Sequence, residues 1–148
     1  KTDADHEEAA RIEWKGGLYL DADGKPGIPG RNVEAVIVDG GRKLKMKYQM
    51  RTGVQCAGFN LIHNGEVDLS DIDKLWKEGK HFLRESVRVN NNRVIRTRAM
   101  FMPWSLEGVE IRYDADIVNE EQVLQALVEG GCIGDGRPKH GQFEMVKR

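Results

Sequence analysis

Long apolar runs are missing from this 148-residue chain. No stretch approaches the roughly 18 residues that a membrane-spanning helix needs, which excludes an integral helical membrane protein. Cysteine is nearly absent. Cys56 and Cys132 stand far apart with no neighbouring Cys or His partner. That excludes a disulfide scaffold and a zinc-finger framework, and it suits a reducing compartment. Catalytic signatures are missing too. The histidines His6, His63, His81 and His140 are scattered, and there is no HExxH, nucleophile elbow or P-loop. Gly134-Asp135-Gly136 follows a helix and precedes a strand, the reverse of the order a dinucleotide fingerprint requires. Asp21 and Asp23 read as turn chemistry rather than as metal ligands. The expectation is therefore a non-enzyme with no cofactor and no metal. The chain opens Lys1-Thr2-Asp3 without Met or an apolar leader, so a secretory signal is not expected, and a longer parent chain is.

What remains is enough for one domain. Apolar residues make up 39% and charged residues 32%, so a core can form beneath a densely charged surface. Thr2 is a plausible cap for a helix over residues 2–14, with acids in its first turn and a thin apolar face of Ala9, Ile12 and Trp14. Leu18-Tyr19-Leu20 reads as a short strand, and residues 21–30 as a loop rich in Pro and Gly. A helix follows, from Arg31 to about Met46, with Val33, Val36, Ile37 and Leu44 as its buried stripe. Residues 54–62 read as a strand interrupted at Ala57-Gly58, and residues 68–80 as a short helical or irregular connection. A hairpin turns at Asn90-Asn91-Asn92, with Arg96 and Arg98 on one face and Ile95, Thr97 and Phe101 on the other. Residues 106–117 alternate as a long strand. Asn119 and Gln122 form a capping box for a helix stopped at Gly130-Gly131. A glycine-spaced loop and a strand over residues 142–146, burying Phe143 and Met145, close the chain. The expected class is α+β, with an antiparallel sheet of ferredoxin-like or RRM-like type and helices on one face.

Net charge is only −1, but the charges are segregated. Residues 31–51 carry six cations (Arg31, Arg42, Lys43, Lys45, Lys47, Arg51) against Glu34 and Asp39. Residues 84–98 carry five (Arg84, Arg88, Arg93, Arg96, Arg98) against Glu85. Residues 107–129 carry seven acids and only Arg112. Such blocks can present a positive face on a neutral molecule, or interleave as surface ion pairs. In the terminal loop, Gly134, Gly136 and Gly141 flank Arg137, Lys139 and His140. Backbone amides and cationic side chains converging on one turn suit phosphate oxygens, although a plain helix-to-strand connection would use the same glycines.

Two motifs carry a resemblance. Asp23-Gly-Lys-Pro-Gly-Ile-Pro-Gly-Arg-Asn-Val-Glu-Ala35 opens a helix, and Ile133-Gly-Asp-Gly-Arg-Pro-Lys-His-Gly-Gln-Phe-Glu144 opens the last strand. Together they resemble the RAMP superfamily, the RRM-like proteins that form the backbone of CRISPR effector complexes. With Gly16-Gly17-Leu18-Tyr19, the chain is most similar to short RAMP-like proteins of phages and prophages. It departs from them in two ways. Family members begin with a central strand ahead of the segment matching residues 2–14. Their helix-start turn continues with Ser and Lys, where this chain has Arg31-Asn32-Val33-Glu34. The resemblance implies a single RAMP-like domain over residues 1–148: an N-terminal helix and loop (1–30), a hairpin (84–101) that presses on RNA, and a Gly-rich loop (133–141).

The leading expectation is thus a non-catalytic protein that binds single-stranded RNA or DNA, in a bacterial host's cytoplasm. Copies assembling along the strand are compatible with it. Phosphate contacts are expected from Arg31, Arg42, Lys43, Lys45, Lys47, Arg51, Arg88, Arg93, Arg96, Arg98, Gly134, Gly136, Arg137, Lys139 and His140. Tyr48, Trp76 and Trp104 are the candidates for base stacking. The alternative is a structural or inhibitory module that binds a host or phage complex through the acids Glu107, Glu110, Asp114, Asp116, Glu120 and Glu121. A metal-independent endoribonuclease using His140 or Asp21 is the third reading.

Overall fold

The computed structural model describes residues 2–65, 67–133 and 141–145. They form a mixed α+β structure of five helices with antiparallel strand pairs. The elements are α1 (Asp3–Gly16), β1 (Tyr19–Leu20), β2 (Pro26–Pro29), α2 (Gly30–Lys43), α3 (Lys47–Gly53), β3 (Val54–Gln55), β4 (Phe59–His63), α4 (Ile72–Glu78), β5 (Phe82–Val89), β6 (Asn92–Ala99), β7 (Ser105–Leu106), β8 (Arg112–Tyr113) and α5 (Glu120–Gly130). The strands divide among three sheets, ordered β1-β2-β4-β7, β3-β8 and β5-β6. The chain, expected to form one domain, divides into two compact units of interleaved sequence. Unit 1 takes residues 1–27 and 61–107, and unit 2 takes residues 28–60 and 108–148.

Unit 1 is built on a core of Trp14, Leu69, Ile72, Leu75 and Phe101, with Leu18, Ile62, Trp76, Phe82, Ala99 and Trp104 packed against it. The thin apolar face of α1 is explained by Trp14. That side chain is 1% exposed and its indole N–H donates to the His81 carbonyl at 2.9 Å. One large aromatic with a satisfied polar edge anchors the helix, while Ile12 stays in solvent. Carboxylates complete the docking. Glu7 meets Arg84 at 2.9 Å, and Glu13 meets both Arg96 and the Thr97 amide at 3.2 Å. The N-terminus is closed by a reciprocal Thr2–Asp5 capping box. The β5–β6 hairpin turns on Asn90 and Asn91, at φ of 48° and 67°, the left-handed conformation that Asn tolerates best after Gly.

Unit 2 is helical at its centre. α2 buries Val33, Val36 and Ile37, and α5 buries Val123, Ala126 and Leu127. The two helices approach closely at Gly40 and Gly130. A Cβ on Gly40 would overlap the Ala126 carbonyl, and one on Gly130 would overlap the Val36 carbonyl. Asn119 caps α5 and Gln122 returns the bond, as expected from the sequence.

Four expectations are corrected. The helix after Gly30 ends at Lys43 rather than Met46, because Lys45 adopts a φ of 59° and a separate helix, α3, follows. The expected loop over residues 21–30 contains strand β2, which pairs Gly27 with Tyr19 and Pro26 with Leu20. The expected strand over residues 106–117 is only β7 and β8. Gly108 at φ 68° breaks it, and Asp114 folds a turn by accepting from the Asp116, Ile117 and Val118 amides. Among the described residues the expected strand over 142–146 is only one bridge, Cys132 with Gln142, and Phe143 and Met145 are half-buried.

Candidate nucleic-acid interface

The best-defined basic surface lies in unit 2, where α2 ends and α3 begins. Residues 42–52 contain Arg42, Lys43, Lys45, Lys47 and Arg51 and no acid. Two causes position them. The C-terminal carbonyls of α2 favour cations in its last turn, and α3 is amphipathic over its short length. Met50 and Gly53 are buried on one side. At helical spacing, Lys47, Tyr48, Arg51 and Thr52 occupy the other. Tyr48 is 74% exposed. An aromatic ring that could have joined the core instead stands in solvent on the side of α3 that carries Lys47 and Arg51.

The individual cations differ. Arg42 sits 3.7 Å from Asp39 with both side chains well exposed, an ion pair too solvated to hold it. Lys43 donates to the Glu129 carbonyl at the end of α5 at 2.6 Å. Lys45, Lys47 and Arg51 have no carboxylate partner among the described residues. Arg31 is exposed in the first turn of α2.

The second basic segment belongs to unit 1. The hairpin register sets Leu83 opposite Arg98, Glu85 opposite Arg96 and Arg88 opposite Arg93. Arg96 and Arg98 do share a face, but Arg96 is engaged by Glu13 and Arg84 by Glu7. Arg98 is half-buried. At the tip the arrangement is different. Arg88 and Arg93 are both exposed and directly opposed, a like-charge pair that costs stability unless an anion bridges it. Gly134, Gly136, Arg137, Lys139 and His140 lie outside the described residues. The basic segments are thus distributed between two units rather than assembled within one.

Of the stacking candidates, only Tyr48 is available. Trp76 packs between Trp14 and Phe82, with ring centroids 5.4 and 5.2 Å away, and Trp104 packs on the unit 1 core. The sequence named Tyr48 but held no signal to separate it from the other two, since α3 was not foreseen as a helix.

Other chemistry is sparse. Asp21 accepts from the Asp23 and Lys25 amides at 2.9 and 2.8 Å, which is turn chemistry as expected. No group of three or more His, Cys, Asp or Glu among the described residues could hold a metal ion. Cys56 is buried, and burial together with the Glu34 carboxylate pushes its thiol up to about 11, far from an activated nucleophile. No described helix is long and apolar enough to cross a membrane. Comparison with family models, with curated proteins and with solved structures gives no match to this chain.

Proposed function

We propose that the chain is a non-catalytic protein that binds single-stranded nucleic acid, with the α2–α3 corner of unit 2 as its principal contact. The observation that carries this reading is Tyr48. It stands in solvent on the same helical side as Lys47 and Arg51, in a stretch free of acids. Cations bind the phosphates without regard to sequence, and an exposed ring offers a base a stacking surface worth about 1–3 kcal/mol. The opposed Arg88 and Arg93 supply a second phosphate contact from unit 1. A RAMP-like, RRM-like fold is part of the same proposal. It is supported by a helix that opens at Gly30, directly after Ile28-Pro29, and with it come a bacterial host cytoplasm and single-stranded RNA or DNA as the ligand.

Titration of labelled single-stranded oligonucleotides against salt tests the reading. The logarithm of affinity should fall against that of salt with a slope of about −0.7 per phosphate engaged. Tyr48→Ala should weaken binding about tenfold with that slope unchanged, whereas Lys47→Gln with Arg51→Gln should flatten it by about 1.4. An absence of binding at about 50 mM salt rejects the function.

A further inference from the structure

A second surface of unit 2 is opposite in charge to the first. Helix α5 buries Val123, Ala126 and Leu127 toward the core, yet it carries another apolar stripe on its solvent side. Leu124 and Val128, four residues apart, line an open groove with Glu120, Glu121, Gln125 and Met145. Val128 is 57% exposed. Burial in the core of this chain does not explain an exposed valine on a helix that already has a complete inner face, and carboxylates in the first turn rim the groove.

Helix α3 presents the converse pattern. At helical spacing Lys47 and Arg51 lie next to each other on the side of α3 that exposes the Tyr48 ring, so cations adjoin an apolar centre where α5 has first-turn carboxylates at one end of an apolar stripe. We propose that the α5 groove receives the α3 face of a second copy of this chain, with Tyr48 covering Leu124 and Val128 while Lys47 and Arg51 meet Glu120 and Glu121. Charge complementarity selects the occupant, because the same chain carries the only acid-free basic helix among the described residues with an exposed aromatic. The two surfaces are different, so the contact is heterologous. A pair leaves the α3 face free on one copy and the α5 groove free on the other, so further copies add head to tail. A contact centred on one short helix is small and therefore weak and salt-sensitive. The proposal needs the exposed α3 face but not nucleic-acid binding.

Sedimentation velocity of the nucleic-acid-free chain over a range of concentrations tests it. At low salt the average sedimentation coefficient should climb with concentration, and added salt should reverse the climb. Arg51→Glu and Glu121→Arg should each weaken association about tenfold or more, and the two changes combined should restore it. Both residues are exposed, and circular dichroism checks that each variant is folded. Val128→Ser should weaken association without altering its salt dependence. A chain that stays monomeric at low salt overturns the proposal. So does failure of the combined charge swap to restore association. At concentrations low enough to keep the unaltered chain monomeric, Glu121→Arg should still bind oligonucleotide at least as well, since it leaves the α3 face intact, which separates a failure of this interface from a failure of the binding function.

Discussion

Both cysteines belong to unit 2 but meet different surroundings. Cys56 is 5% exposed beside Glu34, whose carboxylate accepts the Cys56 amide at 3.1 Å, while Cys132 is half-buried. Burial and a neighbouring negative charge both oppose the thiolate, so Cys56 holds its proton up to about pH 11 when folded, against 9.0 ordinarily. A thiol reagent at mildly alkaline pH should therefore modify Cys132 first and reach Cys56 only on unfolding, which peptide mass analysis reads directly. Linkage gives the sign for stability. Above about pH 9 the unfolded thiol ionises while the folded one does not, so stability falls as pH rises toward about 11. Cys56→Ala should show a shallower decline of the urea midpoint over that range.

Among the elements, the α2–α5 pair depends most on a single atom that is not there. Gly40 lets the backbones approach until no Cβ fits beneath the Ala126 carbonyl. Gly40→Ala gains helix propensity, but overpacking costs about 1–3 kcal/mol and should win. The urea midpoint should drop with an unchanged denaturant slope. This element scale is also where legibility varied. The α5 capping box, the Asn turn of the hairpin and the Val33–Ile37 stripe were readable because each is fixed by local chemistry. Strand β2 was not, because its Pro and Gly residues are turn signals, and only pairing with β1 makes it a strand. Helix α3 was hidden for the converse reason: Met46 offers no side-chain cap to announce its start. The alternation of Val109, Ile111 and Tyr113 suggested one long strand, yet a single positive-φ glycine overrode it. The site shared this pattern. Its cations were legible as composition, but the exposure of Tyr48 and the capture of Arg84 and Arg96 by α1 carboxylates are tertiary facts.

For the whole molecule, the division into units has a covalent consequence. Unit 1 needs both of its segments, since Trp14 from the first completes a core whose other members come from the second. A fragment of residues 61–107 should thus remain unfolded by circular dichroism and gain structure when a peptide of residues 1–27 is added. Helicity in the fragment alone would contradict the central role of Trp14.

The same interleaving sets an order of events on the ribosome. Every residue of unit 1 has been polymerised once residue 107 is added, whereas the piece at 28–60 must wait for α5 and its neighbours. At about 5–20 residues per second that wait lasts on the order of seconds. Throughout it, Val33, Val36 and Ile37 have no partner helix to cover them. The nascent chain therefore passes through a window in which a chaperone has an apolar stripe to hold, and a slowed codon run beyond residue 108 would lengthen it.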